Sequence, residues 1–381
     1  MILIGQADHR RTRYLLAAAE SRSPGLAASV EVIDWSEVLR DPDAVVARLR
    51  AHGQDDAKID SPGDSTPLRD ALIRHGWRCG GERGSPPAPL AHGEFAHQSL
   101  WFAGFADLLR RLDAASPDVV WFNTPQEILA MCDKLECQHR LDAIGARTPA
   151  LFGRVERYAE LRERMDAASA DRAFLKARYG SSAAGVVAYR RNRDGRECAY
   201  TSAELVRENG AVRLFNTLRP KRYEDSRDIA ALIDAIAMQG AYAEAWVSKP
   251  RTVGGAHFDL RVVGTAGEPR QWVARAAAHP MTNLHLGNRR VAIDDVLDTE
   301  AKQRVVRAVR NAATAFPNAC SIGFDLIPTR ERAIVIEANA FGDLLPGATA
   351  WDGAGTYDDQ ASWFGRRVLM STLRKAKAAH A

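Results

Sequence analysis

The chain has 381 residues, 46% of them hydrophobic and 26% charged, which allows two or three domains with substantial cores. A net charge of +4 is too small for a nucleic-acid footprint, no apolar run approaches the length of a membrane span, and Met1-Ile-Leu-Ile-Gly5 lacks the basic start and cleavage site of a signal peptide. Five scattered cysteines (Cys79, Cys132, Cys137, Cys198, Cys320) form no Cys-x-x-Cys, which argues against a disulfide frame or a zinc site and for a reducing cytoplasm.

The first 122 residues read as an α/β domain. Residues 1–4 have the pattern of a short buried strand, 11–21 of a helix, 30–35 of a strand and 36–51 of a helix capped by Ser36. Segments 53–67 and 80–89, rich in Gly and Pro, read as loops. An amphipathic helix over 95–114 and a strand over 118–122 follow. Gly5 stands without a Gly-x-Gly-x-x-Gly, so no cofactor is assigned to this domain.

Thr124, Pro125 and Glu127 form a helix start with a capping box. Asp133-Lys134 opens a second helix that Gly145 and Thr148-Pro149 stop; a lysine such as Lys134, taken alone, is more often a surface residue than a ligand. A strand carrying Lys176 then leads into a loop of small residues, Gly180-Ser181-Ser182-Ala183-Ala184-Gly185, and a second strand leaves it. The glycines have Walker-loop spacing, but Val186-Val187 stands where that loop needs Lys-Ser/Thr. Such a loop still lets backbone N–H groups approach an anion, with Lys176 adding a point charge; the alternative is an ordinary Gly-Ser hairpin.

Residues 225–239 read as a helix and 241–247 as a strand. A strand over 256–263 puts Asp259 and Arg261 on one face, two residues apart, which could be a structural ion pair. Another strand covers 271–275, and a helix over 294–315 spaces Val305, Val309 and Ala312 for one buried face. Arg251, Arg261, Arg275, Arg289 and Arg290 together suit an anionic acceptor. A closing amphipathic helix over 358–379 reads as packing.

Residues 321–327 and 333–339 form an apolar, β-branched strand pair around a short polar loop. If Ile327 pairs with Val335, then Asp325 faces Glu337 and Gly323 faces Asn339, with Asp325, Glu337 and Asn339 on one side of the sheet. Facing like charges are destabilising and call for a cation between them. Two carboxylates and an amide oxygen suit Mg²⁺; the alternative is a solvated polar face.

Asp325 with Glu337-Ala338-Asn339 resembles the metal-binding end of the ATP-grasp superfamily. Asn123-Thr-Pro125, Asp133-Lys134 and Asp259-Leu-Arg261 resemble, in the same order, further motifs of that superfamily, and Asn283-Leu-His285-Leu-Gly287 resembles a segment of its ribosomal-protein glutamate ligase branch, close to the glutathione synthetase-like enzymes. The resemblance implies an α/β (α+β) fold. A Rossmann-like pre-ATP-grasp domain would cover 1–122, a small lobe with a phosphate lid 123–240, and the lobe with the metal site 241–381, with antiparallel sheets in both lobes. It implies ATP and Mg²⁺ as cofactors, with the metal on Asp325, Glu337 and Asn339. Lys134, Lys176 and the lid residues Gly180, Ser181, Ser182 and Gly185 would hold the phosphates. The hinge Glu244-Ala245-Trp246-Val247 would meet adenine, Glu244 at its amino group and Trp246 as core or wall; no acidic residue follows for the ribose. Arg261 and Arg275 would serve the acyl phosphate, and Asp259, Asn283 and His285 the acceptor. The activity implied is amide formation between a small-molecule or peptide carboxylate and an amine through an acyl phosphate, in the cytoplasm, without nucleic acid or membrane, in a possible homo-oligomer. A kinase of the same fold, a peptide cross-linking ligase and a non-catalytic ATP-binding regulatory protein are the alternatives.

Overall fold

In this computed structural model, which describes residues 1–51, 56–63, 65–115, 118–180, 184–341 and 345–364, the strands form three sheets. The first is parallel, in the order β2-β1-β3-β4, from β1 (Ile2–Gly5), β2 (Glu31–Asp34), β3 (Asp56–Ile59) and β4 (Val120–Trp121). Around it lie α1 (Arg10–Arg22), α2 (Trp35–Arg40), α3 (Pro42–Ala51), α4 (Thr66–Cys79) and α5 (Gln98–Ala115). Two expectations change here. The helix expected over 36–51 is two helices, because Pro42 has no N–H to continue the first, and the Asp41 carboxylate accepts from Ala44 N at 2.9 Å to start the second. The cap is Asp34, boxed with Glu37, and Ser36 sits inside the first turn. The supposed loop 53–67 holds β3, whose Lys58 is buried and ion-paired with Asp60 just past its end at 2.8 Å, so paired charges hide a core strand.

Next come α6 (Pro125–Cys132) and α7 (Lys134–Ala143). Thr124 caps α6, but the Glu127 carboxylate accepts from Asn318 N and pairs with Arg140 instead of closing a box. The second sheet is antiparallel, in the order β5-β10-β6-β7-β8-β9. Its strands are β5 (Leu151–Val155), β6 (Arg172–Ala177), β7 (Val186–Arg191), β8 (Glu197–Glu208), β9 (Ala211–Tyr223) and β10 (Ala241–Ala245), with α8 (Tyr158–Ala167) and α9 (Ser226–Ala237) packed on it. The expected boundary between 240 and 241 therefore does not follow the sheets: β10 lies between β5 and β6.

The third sheet, order β13-β12-β11-β14-β15, joins β11 (His257–Thr265), β12 (Glu268–Ala277), β13 (Arg289–Val291), β14 (Ser321–Pro328) and β15 (Ala333–Asn339). The helix α10 (Thr299–Ala313) covers one face with Val305, Val309 and Ala312 fully buried; Asp298 caps it, and Asp294 precedes it in a 3-10 turn. The closing helix is described over 356–364, and Phe364 packs on Leu3, Leu15 and Phe122 of the first layer. The remainder of the helix expected to 379 lies outside the described residues. No described helix is long and apolar enough to cross a membrane.

Candidate active site

Strand register builds one wall of the site. Asp325 pairs with Glu337 and Gly323 with Asn339, as alternation requires. The register then slips between Asp325 and Leu326, so Ile327 faces Ile334 and not Val335; a bulge sits beside the paired carboxylates. On the other side of β14, Arg261 is directly opposite Asp325, and across β11 Asp259 is directly opposite Arg275. Charged side chains thus cross four strands on the face turned from α10, opposite in sign at each facing pair except Asp325 and Glu337. Asp259 and Arg261 pair outward to the neighbouring strands and not with each other. Arg275 Nε donates to Asp259 Oδ1 at 2.8 Å and its Nη2 lies 3.2 Å from Asp325 Oδ1; Arg261 Nε lies 2.7 Å from the same oxygen. Lys134, Arg261 and Arg275 stand against the facing carboxylates as counter-charge.

The facing wall comes from α7 and the second sheet. Asp133 caps α7, accepts from Glu136 N, and is bridged by Arg178 Nε at 2.9 Å, while Arg178 O accepts from Lys134 N at 2.9 Å. This ties the start of the helix to the end of β6 and aims Lys134 Nζ at Glu337 Oε1. Tyr242 pairs with Lys176, so Glu244 is its diagonal neighbour on the same face, and the two are ion-paired. Glu244 is buried on Lys176 and lines the cavity. Ala245 and Val247 line the cavity; Trp246 turns away and packs on Phe174 at 5.0 Å between ring centroids.

Between the walls lies a cavity of about 340 Å³. Lys134, Lys176, Gly180, Glu244, Asp259, Arg261, Arg275, Asn283, Asp325, Glu337 and Asn339 all line it. Gly185 does not; at φ +68° its carbonyl accepts from Ala177 N at 2.9 Å, and a Cβ there would lie 2.6 Å from the Phe95 ring. Ser181 and Ser182 lie outside the described residues, as does the His285 side chain, whose backbone forms part of the 3-10 turn Leu284–Leu286. Arg251, Arg289 and Arg290 are exposed and away from the cavity, Arg251 bonding Gly255 O and Arg290 Pro346 O.

Sequence reasoning missed Lys249 and Thr282. Lys249 Nζ lies 3.0 Å from Asp259 Oδ2 and 2.6 Å from Thr282 Oγ1, and that hydroxyl donates to Asp259. Lys249 precedes Pro250 in irregular chain, where no periodicity points a side chain. His9, Arg10 and Arg11 were also missed, since helical spacing is all that segment displays.

Burial pushes the Asp325 carboxyl above its ordinary range, with Glu337 acting in the same direction and Arg261 and Arg275 against it. Burial also acts on Glu337, but Lys134 outweighs it and holds this carboxyl below its ordinary range. Asp259 is held low despite burial by Arg275 and Lys249, and burial lowers the Lys249 ammonium. The two facing carboxylates thus differ in proton affinity. The residues fit a hard divalent ion: Asp325 Oδ1 is buried and, close as the guanidinium groups are, takes no well-aligned hydrogen bond, while Asn339 donates its amide N–H to Gly323 O at 3.0 Å, leaving Oδ1 as a free-facing acceptor.

No protein-family model and no curated protein matches the chain. Among solved structures it is similar to a D-cycloserine synthetase, DcsG, at 14% identity over 94% of this chain and 97% of that one, with a TM-score of 0.53. It is also similar to a D-alanine–D-alanine ligase from Bacillus anthracis at 12% identity over 99% of both chains, with a TM-score of 0.50. At these identities the likeness is one of fold, and the fold is that of the ATP-grasp ligases.

Proposed function

We propose that this protein is an ATP- and Mg²⁺-dependent ligase that joins a carboxylate to an amine through an acyl phosphate. The observation that carries the reading is the facing set Asp325, Glu337 and Asn339, held by strand register across one cavity from Lys134 and Lys176. Magnesium held by those three side chains would screen the phosphate oxygens and polarise the transferred group.

The chain's own residues supply the rest. Lys134 and Lys176 rest on Glu337 and Glu244, and the incoming triphosphate competes for both ammonium groups. Gly180, which lines the cavity, has no side chain to keep backbone N–H groups from the phosphates. Arg261 and Arg275, fixed beside Asp325, would stabilise the charge that develops as a carboxylate oxygen attacks the γ-phosphorus and the bond to ADP breaks. Asp259 holds Arg275 and Lys249 in place. The amine nitrogen then attacks the acyl carbon, inorganic phosphate leaves with the bonding pair, and the amine loses a proton. That proton passes to solvent, and Lys249, ion-paired with Asp259, lines the same cavity.

The test is ATP turnover against pools of carboxylates and amines with mass detection of products. ADP, phosphate and an amide support the reading. A phosphorylated product stable without amine replaces it with the kinase, and tight ATP binding without turnover replaces it with a regulatory protein.

A further inference from the structure

The third wall of the cavity belongs to the N-terminal sheet. In an open parallel sheet a ligand crevice opens beyond the carboxyl ends of the strands, where strand order reverses. The order β2-β1-β3-β4 puts that point between β1 and β3. The segments after these strands bring His9, Arg10, Arg11, Ser61 and Gly63 to the cavity. They touch one another: a Cβ on Gly63, at φ +74°, would lie 2.8 Å from Gln6 Oε1.

The chemistry of this wall is one-sided. Seven lysine and arginine side chains line the cavity against four carboxylates. Lys134, Lys176, Lys249, Arg261 and Arg275 are paired with those four acids. The remaining two are Arg10 and Arg11, and no described acid lines their wall; Asp60 lies behind it, buried on Lys58. Arg11 Nη1 donates to Phe341 O at 3.0 Å, two residues past Asn339, which fixes this wall to the end of β15. His9 Nδ1 accepts from Arg11 N at 3.3 Å, which orients the ring beside Arg11. The Arg10 side chain is exposed and has no hydrogen bond or ion pair among the described residues.

We propose that the carboxylate substrate is dianionic: its second oxyanion, a carboxylate or a phosphate, is held at the β1–β3 crevice by Arg10, with His9 and Arg11 beside it. This rests on the ligase reading, in which the reacting carboxylate lies by Arg261 and Arg275. Arg10 then determines specificity without touching the reacting atoms.

The experiment is calorimetric titration of the full chain, first with Mg²⁺ and AMP-PNP, then, on the loaded protein, with the diacids from malonate to adipate. Each diacid is set against the monocarboxylate of equal length, and the phosphono-carboxylates of the same lengths form a second series. At least one diacid or phosphono-acid is expected to bind about tenfold or more tightly than its monoacid, and the better series identifies the oxyanion. Arg10→Ala, at an exposed position that does not support the fold, is expected to remove that preference and leave AMP-PNP affinity unchanged. AMP-PNP binding with no preference in either series overturns the proposal alone, as does a preference that survives Arg10→Ala. Failure of AMP-PNP to bind overturns the ligase reading on which it rests.

Discussion

Lys134→Met tests how the nucleotide-free site is held together. The change removes the ammonium and keeps a stem of similar length. Lys134 is bonded to Glu337, with the two side chains 11% and 24% exposed. Removing one partner of a fully buried pair costs about 3–5 kcal/mol, and an exposed pair contributes at most about 1 kcal/mol. A pair this shielded falls between the limits, at about 2 kcal/mol. The pH dependence has a definite sign. Glu337 is below its ordinary range in the folded protein, so its contribution is present above the unfolded carboxyl value and is lost as pH falls through the folded one. Lys134 is raised, so its contribution is present below the unfolded amine value and is lost as pH rises through the folded one. Without Lys134, burial still raises Glu337 while Lys176 and Arg261 act against it, so its carboxyl titrates higher in the variant than in the wild type. The deficit is therefore expected to be flat near neutrality, to shrink as pH falls toward the variant's Glu337 value, and to vanish below the wild type's depressed one. Urea denaturation of both proteins at pH 7.5, 5.5 and 4.0 reads it as a difference in midpoint at constant slope. An equal deficit at all three, or none at pH 7.5, refutes the argument.

Asp325→Asn and Glu337→Gln are each expected to fold and to lose magnesium-dependent turnover; a melting curve and an ADP-release assay decide, and near-normal turnover in either sinks the metal assignment. Lys176→Ala is expected to weaken AMP-PNP binding about tenfold, whereas Arg275→Ala lowers turnover at least about tenfold with nucleotide affinity close to normal; equal loss of affinity in both would move Arg275 into the phosphate site. Gly185→Ala is expected to destabilise by about 1–3 kcal/mol, because φ is +68° and the new Cβ would lie 2.6 Å from the Phe95 ring and 2.7 Å from Ala177 Cβ. Unchanged thermal stability there would mean that Phe95 moves aside freely.

Local pattern carried much of this fold. Alternation along 321–327 and 333–339 is enough to put Asp325, Glu337 and Asn339 on one face, because a short hairpin leaves little choice of partner. Caps and glycines likewise marked α7, whose Asp133 cap and Gly145 stop are both present. Period two says which face a side chain takes but not which strand lies beside it. That choice is long-range, so only the assembled sheet shows that Asp259 meets Arg275 and Arg261 meets Asp325, where chain order suggested the pair Asp259–Arg261. The same holds for β3, a core strand masked by Lys58 and Asp60 until burial pairs them. Lys249, in irregular chain, and the wall of His9, Arg10 and Arg11 join the site only through the packing of three sheets around one cavity. Residues adjacent in the hairpin were legible because their separation is short; those recruited from 9 to 11 and from 249 were not, because tertiary contact alone brings them within reach of Phe341 and Asp259.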